Sequence, residues 1–449
     1  MAGAPVSDTI AAPATPPGHG GIGVVRISGP DAGPIGSVLA PPLPQARTAA
    51  FRRFCAADNT TLDQGLVLWL PGPGSYTGED TLELQGHGSP VVIDALLGRA
   101  LELGARSARP GELSERAFLN GRIDLAQAEA VADLIESADR AGARAAMRSL
   151  EGAFSERVGR LVDELTELRA WIEAAFDFPE DDLDLLADGQ LRARLSALRA
   201  RLRETRDAAA QGRRLVTGAR VVLAGAANAG KSSLLNRLAG VDAAIVTDIA
   251  GTTRDTLSQS IRLAGLPVDV TDTAGLRATT DPVESAGVER AYRALEGADR
   301  ILLVVDAQAD TAEALADLPR GVAVDVIRSK IDLTGEPAGL VCHTGSGAEI
   351  AVSVATGAGL DALTRHLRDA LGADPAGTDA FSARRRHLEA LECADDELAA
   401  AEAELAADAG AELAAERLRG AQEALGRITG RVTTEDLLGE IFSRFCIGK

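Results

Sequence analysis

Lysine is nearly absent from this chain: three of its 46 basic residues are lysine, Lys231, Lys330 and Lys449. Asparagine is almost as scarce, confined to Asn59, Asn120, Asn228 and Asn236. Such scarcity points to a coding bias that removes both wherever a substitute serves. The remaining lysines then mark positions where a planar guanidinium cannot replace a compact ammonium. No apolar run reaches the roughly eighteen residues that a membrane span requires. The N-terminal stretch lacks the basic segment and apolar run of a secretory leader, so no membrane association is expected. Four cysteines, Cys55, Cys342, Cys393 and Cys446, form no C-x-x-C pair, which favours free thiols in a reducing cytoplasm over a disulfide or zinc framework. A generally basic surface is also lacking. The net charge of −20 argues against indiscriminate nucleic-acid coating and leaves room for a local RNA site.

What is present describes a globular protein of about two to three domains: 449 residues, 46% hydrophobic and 25% charged. Up to about residue 118, short apolar runs such as Ile22–Ile27, Gly65–Leu70 and Leu82–Leu84 alternate with Gly/Pro turns, and a helix is expected near Pro90–Leu103. From Asp124 to Gln211 the texture is helical, with Leu161, Leu165 and Leu168 on one face and a break at Phe178-Pro179. From Arg220, strands at Val221–Leu223, Val268–Val270, Ile301–Val305, Val322–Ile327 and Ile350–Val354 alternate with helices, a doubly wound α/β signature. After a linker at Gly372–Asp379 the chain is helical again, Leu391, Leu398 and Leu405 lying seven residues apart as a bundle-core stripe. The flanking helices are expected to pack together, making the α/β block an insertion.

The strongest motif is GAANAGKS from Gly225, directly after a strand. It fits G-x-x-x-x-G-K-[ST], whose backbone N–H groups cradle phosphates while Lys231 neutralises β/γ oxygens and the Ser232 hydroxyl ligates Mg²⁺. DTAG at Asp272 follows a second strand and offers a carboxylate to the magnesium shell, with Gly275 allowing a backbone N–H near the γ-phosphate. GTTRD between them contributes a hydroxyl, Thr253, to the same ion. Base identity is read at RSKID, where Ser329 replaces the asparagine of N-K-x-D. Asp332 still accepts from guanine N1–H and the 2-amino group, Lys330 covers the ring, and Ser353, Val354 and Ala355 supply the loop facing O6. Losing the amide is expected to weaken the site without reversing its choice, so Ser329→Asn should tighten GDP binding. Leu276 stands where many related switches carry a water-orienting glutamine, and Glu284, eight residues on, is the best alternative.

Together GAANAGKSSLLN, DIAGTTRD, DTAGLR and the terminal FCIGK resemble the tRNA modification GTPase (MnmE/TrmE) family. TPPGHGGIGVVRISG, YTGEDTLELQGHG and RPGELSERAFLNGRIDLAQAEAVADLI extend the likeness over nearly the whole chain. The resemblance implies an α+β tetrahydrofolate-binding domain at residues 1–120, a helical domain split between 121–215 and 375–449, and an inserted P-loop α/β G domain at 216–374. It further implies a cytoplasmic homodimer that joins an FAD-dependent partner of the MnmG/GidA type in a heterotetramer. The pair would install an aminomethyl- or carboxymethylaminomethyl-type group at C5 of the tRNA wobble uridine, using a 5-formyl- or methylene-type tetrahydrofolate. GTP would be held by Asn228, Ala229, Gly230, Lys231, Ser232, Ser233, Thr247, Asp248, Ile249, Ala250, Gly251, Thr252, Thr253, Asp272, Thr273, Ala274 and Gly275, besides the base loops.

By the same resemblance, Asn228 binds K⁺ with backbone groups of Thr247, Ile249 and Thr252, Glu284 positions water, and folate meets Arg26, Glu83, Arg122 and Lys449. Cys446 matches a cysteine required for modification. Arg122 departs from the family's usual lysine, Ala226-Ala227 from Arg-Pro, His19 from Arg and Ser89 from Gly. None of these departures removes a phosphate or magnesium ligand. A ribosome-assembly GTPase switch would share the nucleotide motifs but needs neither the N-terminal half nor the FCIGK end. A scaffold with a decayed site is opposed by intact Lys231, Ser232, Thr253 and Asp272.

Overall fold

The computed structural model describes residues 8–137, 140–177, 190–226, 228–241, 258–263, 266–272, 295, 297–309, 315, 318–319, 321–344, 347–371, 380–406, 411–443, 445 and 448. The chain divides into two compact units, one of Met1–Glu136, Ser149–Arg203 and Glu389–Lys449, the other of Ser137–Arg148 and Glu204–Leu388.

The first unit begins with a six-stranded sheet of β1 (Ile10–Pro13), β2 (Gly20–Ser28), β3 (Ala50–Cys55), β4 (Thr61–Leu70), β5 (Thr81–Gly88) and β6 (Arg106–Ser107), in the order β3-β4-β5-β2-β1-β6. Alternation along the strands sorts the faces. Val25, Ile27, Leu82 and Leu84 enter a core with Ile35 and Leu96 from the helices Ala32–Leu39 and Pro90–Glu102. Arg26 and Glu83, out of phase with them, stand directly opposite one another across β2 and β5.

The helical part of this unit joins segments far apart in sequence. Leu161, Leu165 and Leu168 are buried on the helix Ala153–Asp177, as the spacing predicts, and the helix Ala411–Thr429 packs against it. Gln422 receives a hydrogen bond from Arg169 Nη1 at 2.9 Å and donates one to Thr166 Oγ1 at 3.0 Å, fixing the register of that pair. Arg199 Nε reaches Asp395 Oδ1 at 2.7 Å. Helices from before and after the α/β block therefore share one core. Leu391 and Leu398 of the expected stripe are fully buried and Leu405 is half-buried, consistent with a bundle core.

The second unit is built on a seven-stranded sheet: β7 (Ala219–Ala224), β8 (Ser258–Leu263), β9 (Leu266–Asp272), β10 (Arg300–Asp306), β11 (Val324–Ser329), β12 (Gly339–Thr344) and β13 (Gly347–Ala351). Their order is β12-β13-β11-β10-β7-β9-β8. The five inner strands are parallel, and β8 and β12 close the edges antiparallel. Parallel strands covered on both faces bury every side chain, which explains the unbroken apolar run of β10. From β7 the chain builds outward through β8 and β9, then crosses back to β10 on the other side. The point where winding direction reverses lies at the C-terminal ends of β7 and β10, where open α/β sheets bind ligands.

Candidate functional site

The P-loop leaves β7 at that reversal point. Gly225 has φ +137°, and a Cβ there would lie 2.1 Å from the Val304 carbonyl oxygen on β10, so only glycine passes. Asn228 takes the left-handed conformation at φ 62°, and the helix Lys231–Val241 begins straight after the loop. Its first N–H groups and its dipole present positive charge to an anion. The Lys231 ammonium is buried and donates to the carbonyls of Gly225 (2.9 Å) and Ala226 (3.0 Å), which anchors it across the loop. Ser232 and Ser233 follow on the first helical turn, exposed.

The strand register carries to the same end other residues expected from the sequence to meet the nucleotide. Leu223 pairs with Asp272 on β9, so Asp272 leaves the sheet two residues from Gly225. Asp306 pairs with Ser329 across β10 and β11. Lys330, left-handed at φ 62°, donates from Nζ to Asp306 Oδ2 at 2.8 Å. That bond, with one from the Gln308 N–H, holds the Asp306 carboxyl below its usual range. Asp332 sits on a single helical turn, Ile331–Leu333, and accepts a 2.6 Å hydrogen bond from the Ser353 hydroxyl. Ser353 is buried in a tight loop in which its own N–H reaches the Ala358 carbonyl at 2.9 Å and Gly357 N–H returns to Ser353 O at 2.9 Å. Val354 is half-buried against the core and Ala355 is exposed. Ser329 is buried, and its hydroxyl lies 2.6 Å from the Ala229 carbonyl of the P-loop.

Thr247, Asp248, Ile249, Ala250, Gly251, Thr252, Thr253, Thr273, Ala274, Gly275 and Glu284 lie outside the described residues, as do Cys446 and Lys449. Sequence reading missed Asp306. A carboxylate ending an otherwise apolar strand, ILLVVD, was the available signal.

In the first unit, Arg26 Nε and Nη2 both reach Glu83 Oε1, at 3.0 and 2.8 Å. The same guanidinium lies over the Tyr76 ring, 5.7 Å from its centroid. Tyr76, another residue not singled out from sequence, bonds to Ser114 Oγ at 2.8 Å, and burial pushes its hydroxyl pKa up. Arg122 is exposed and lies against Gly78, two residues from Tyr76. The far end of the chain comes here too. Gly448 has φ +96°, and a Cβ there would lie 1.8 Å from the Pro13 carbonyl oxygen. Pro13 closes β1 next to Ala12, the register partner of Arg26. Phe445 is buried beside Phe442, ring centroids 5.3 Å apart, so the end of the chain is packed at both described positions.

Comparison with known proteins accounts for both ends together. A family model described as the MnmE helical domain matches residues 125–446, and one described as the GTP-binding protein TrmE N-terminus matches residues 9–122. The tRNA modification GTPase MnmE of Stutzerimonas stutzeri (strain A1501) is 52% identical over 453 residues, covering 99% of this chain and 100% of that protein. The chain belongs to the MnmE family. Its P-loop unit is similar at lower levels to other GTP-binding proteins. Era from Aquifex aeolicus bound to GDP and AlF4⁻ is 24% identical over 40% of this chain and 66% of that one, with a TM-score of 0.28. The G domain of the T. maritima FeoB iron transporter is 23% identical over 34% of this chain and 98% of that one, with a TM-score of 0.25. Scores that low carry no argument. The fold of the MnmE-family G unit follows instead from its own strand order and P-loop.

Proposed function

We propose that this MnmE-family chain is a K⁺-dependent GTPase that works with an FAD-dependent partner of the MnmG type. Together they add an aminomethyl- or carboxymethylaminomethyl-type group at C5 of the wobble uridine of certain tRNAs. The observation that carries the hydrolase is the P-loop itself: a glycine pressed against β10, a left-handed Asn228, and Lys231 anchored across the turn at a helix N-terminus. These residues fit a nucleoside triphosphate, since backbone donors and an ammonium converge where β- and γ-phosphates would lie. Ser232 and Thr253 are proposed to hold Mg²⁺, and Asn228 to hold K⁺ with backbone groups of Thr247, Ile249 and Thr252. The two cations would supply positive charge against the charge that develops on the phosphates. Glu284 is proposed to orient the attacking water, because Leu276 offers no hydrogen bond.

The modification half of the reading is supported by identity over the whole length with a protein named for tRNA modification. The Arg26–Glu83 pair over Tyr76 supports a folate pocket, because a planar, charged cradle suits a pterin ring and the carboxylates of a folate's glutamate tail. Arg122 and Lys449 are its proposed additional cations. We further propose a cytoplasmic homodimer, a heterotetramer with the partner, and the four-segment division at residues 120, 215 and 374.

The cation role gives a direct test. Steady-state GTP turnover is expected to be at least about tenfold faster in K⁺ than in Na⁺ at equal ionic strength, and Asn228→Ala should flatten the difference. Equal wild-type rates in both salts would refute the K⁺ assignment.

A further inference from the structure

We propose that Ser329 is a positioning residue that ties the base-reading strand to the P-loop and makes no contact with the base. The inference rests on the nucleotide reading of Gly225–Ser232 and concerns how that site is held. A hydroxyl has one hydrogen to give. Two carbonyls compete for it, Ala229 O of the P-loop at 2.6 Å and Val305 O of β10 at 3.1 Å. Ser329 is 1% exposed, so its hydroxyl has to find its partner inside the fold. A Cβ placed on Gly230 would come within 3.9 Å of Ser329 Oγ, so the hydroxyl faces the P-loop turn itself.

Asparagine at this position carries two donors and an acceptor on a longer arm, enough to bond the P-loop and a base together. Serine can do one of these, and the geometry assigns it the first. The task of reading guanine then falls to Asp332, which the buried Ser353 holds through a 2.6 Å bond. Two buried serines thus act on opposite ends of the nucleotide. Ser329 fixes the segment Ala229-Gly230-Lys231 that faces the phosphates, and Ser353 fixes the carboxylate that faces the base. Removing the Ser329 hydroxyl loosens the phosphate cradle without regard to the base. Putting asparagine in its place crowds a filled site, and no gain in GDP affinity follows, in contrast with the expectation from sequence.

The test uses the full-length protein with Mg²⁺ and calorimetric titration of GDP, of IDP, which lacks the 2-amino group, and of 7-deaza-GDP, which lacks the N7 acceptor a serine hydroxyl at the base would use. Ser329→Ala is expected to weaken all three by about tenfold, the cost of one buried hydrogen bond, leaving the GDP-to-IDP and GDP-to-7-deaza-GDP affinity ratios unchanged. Ser353→Ala is expected to collapse the GDP-to-IDP ratio instead. Hydrogen exchange in the nucleotide-free protein gives an independent readout. Amides of the peptide 225–236 should exchange faster in Ser329→Ala than in the wild type, with exchange elsewhere unaltered. A change in either ratio in Ser329→Ala would overturn the proposal by making Ser329 a base reader. Unchanged affinities together with unchanged exchange would overturn it as well. Failure of the wild-type protein to bind GDP at all would remove the nucleotide reading, a different result from either.

Discussion

Replacing Lys231 with alanine is expected to lower GTP turnover by roughly 100- to 1,000-fold, the range seen when one preorganised donor to developing charge is removed. Lys231 is 8% exposed, and its ammonium spans the P-loop through the Gly225 and Ala226 carbonyls. Its loss removes the charge facing the phosphates and leaves two loop carbonyls short of a donor. Lys231→Arg should fail nearly as badly, because a planar guanidinium does not fit a site closed around a compact ammonium. That explains the survival of lysine here in a chain that otherwise uses arginine. Single-turnover hydrolysis with saturating GTP measures the chemical step apart from binding. A loss of less than about threefold would detach Lys231 from catalysis, since removing one donor should cost far more.

The second large effect is expected at residues 446–449. Deleting Cys446 through Lys449 should abolish wobble-uridine modification and leave GTP turnover within about twofold, because turnover rests on groups in a separate unit. Chain ends are usually solvated. This one is packed: Phe445 lies in a core with Phe442, and Gly448 closes on Pro13, one residue from the register partner of Arg26. Gly448 thereby brings the last residues of the chain to the strand that pairs with Arg26. Paired assays decide it, GTP turnover of the truncated protein and nucleoside mass spectrometry of tRNA from complemented cells. Full modification by the truncated protein would take the tail out of the chemistry.

Much of the site was legible because phosphate binding constrains a short, contiguous stretch. GAANAGKS after an apolar strand fixes loop and helix together, and the structure places the strand at Ala219–Ala224 and the helix at Lys231–Val241. Parallel strands read well for the same reason, since burial on both faces demands unbroken apolar runs. Edge strands read poorly. Neither Ser258–Leu263 nor Gly339–Thr344 was anticipated, because an edge needs backbone pairing on one side only and tolerates polar residues. The helix Ala32–Leu39 was hidden by Pro34, Gly33 and Gly36, which argue against a helix by propensity. Those small residues let it lie close on Trp69 and Leu82 of the sheet, so packing overrides propensity. The last strand was expected to run to Val354 and stops at Ala351. Ser353 instead turns the backbone sharply to aim its hydroxyl at Asp332. The bond from Ser329 to Ala229 joins residues a hundred positions apart, and no local pattern encodes it.

GTP hydrolysis that depends on Lys231 is expected to serve modification of tRNA at the wobble uridine. Nucleoside mass spectrometry of tRNA from cells lacking this chain tests it most directly, with complementation by the wild type and by Lys231→Ala. The C5 aminomethyl-type nucleosides should be lost in the deletion strain, recovered with the wild type, and not recovered with Lys231→Ala. Unchanged wobble nucleosides in the deletion strain would contradict it.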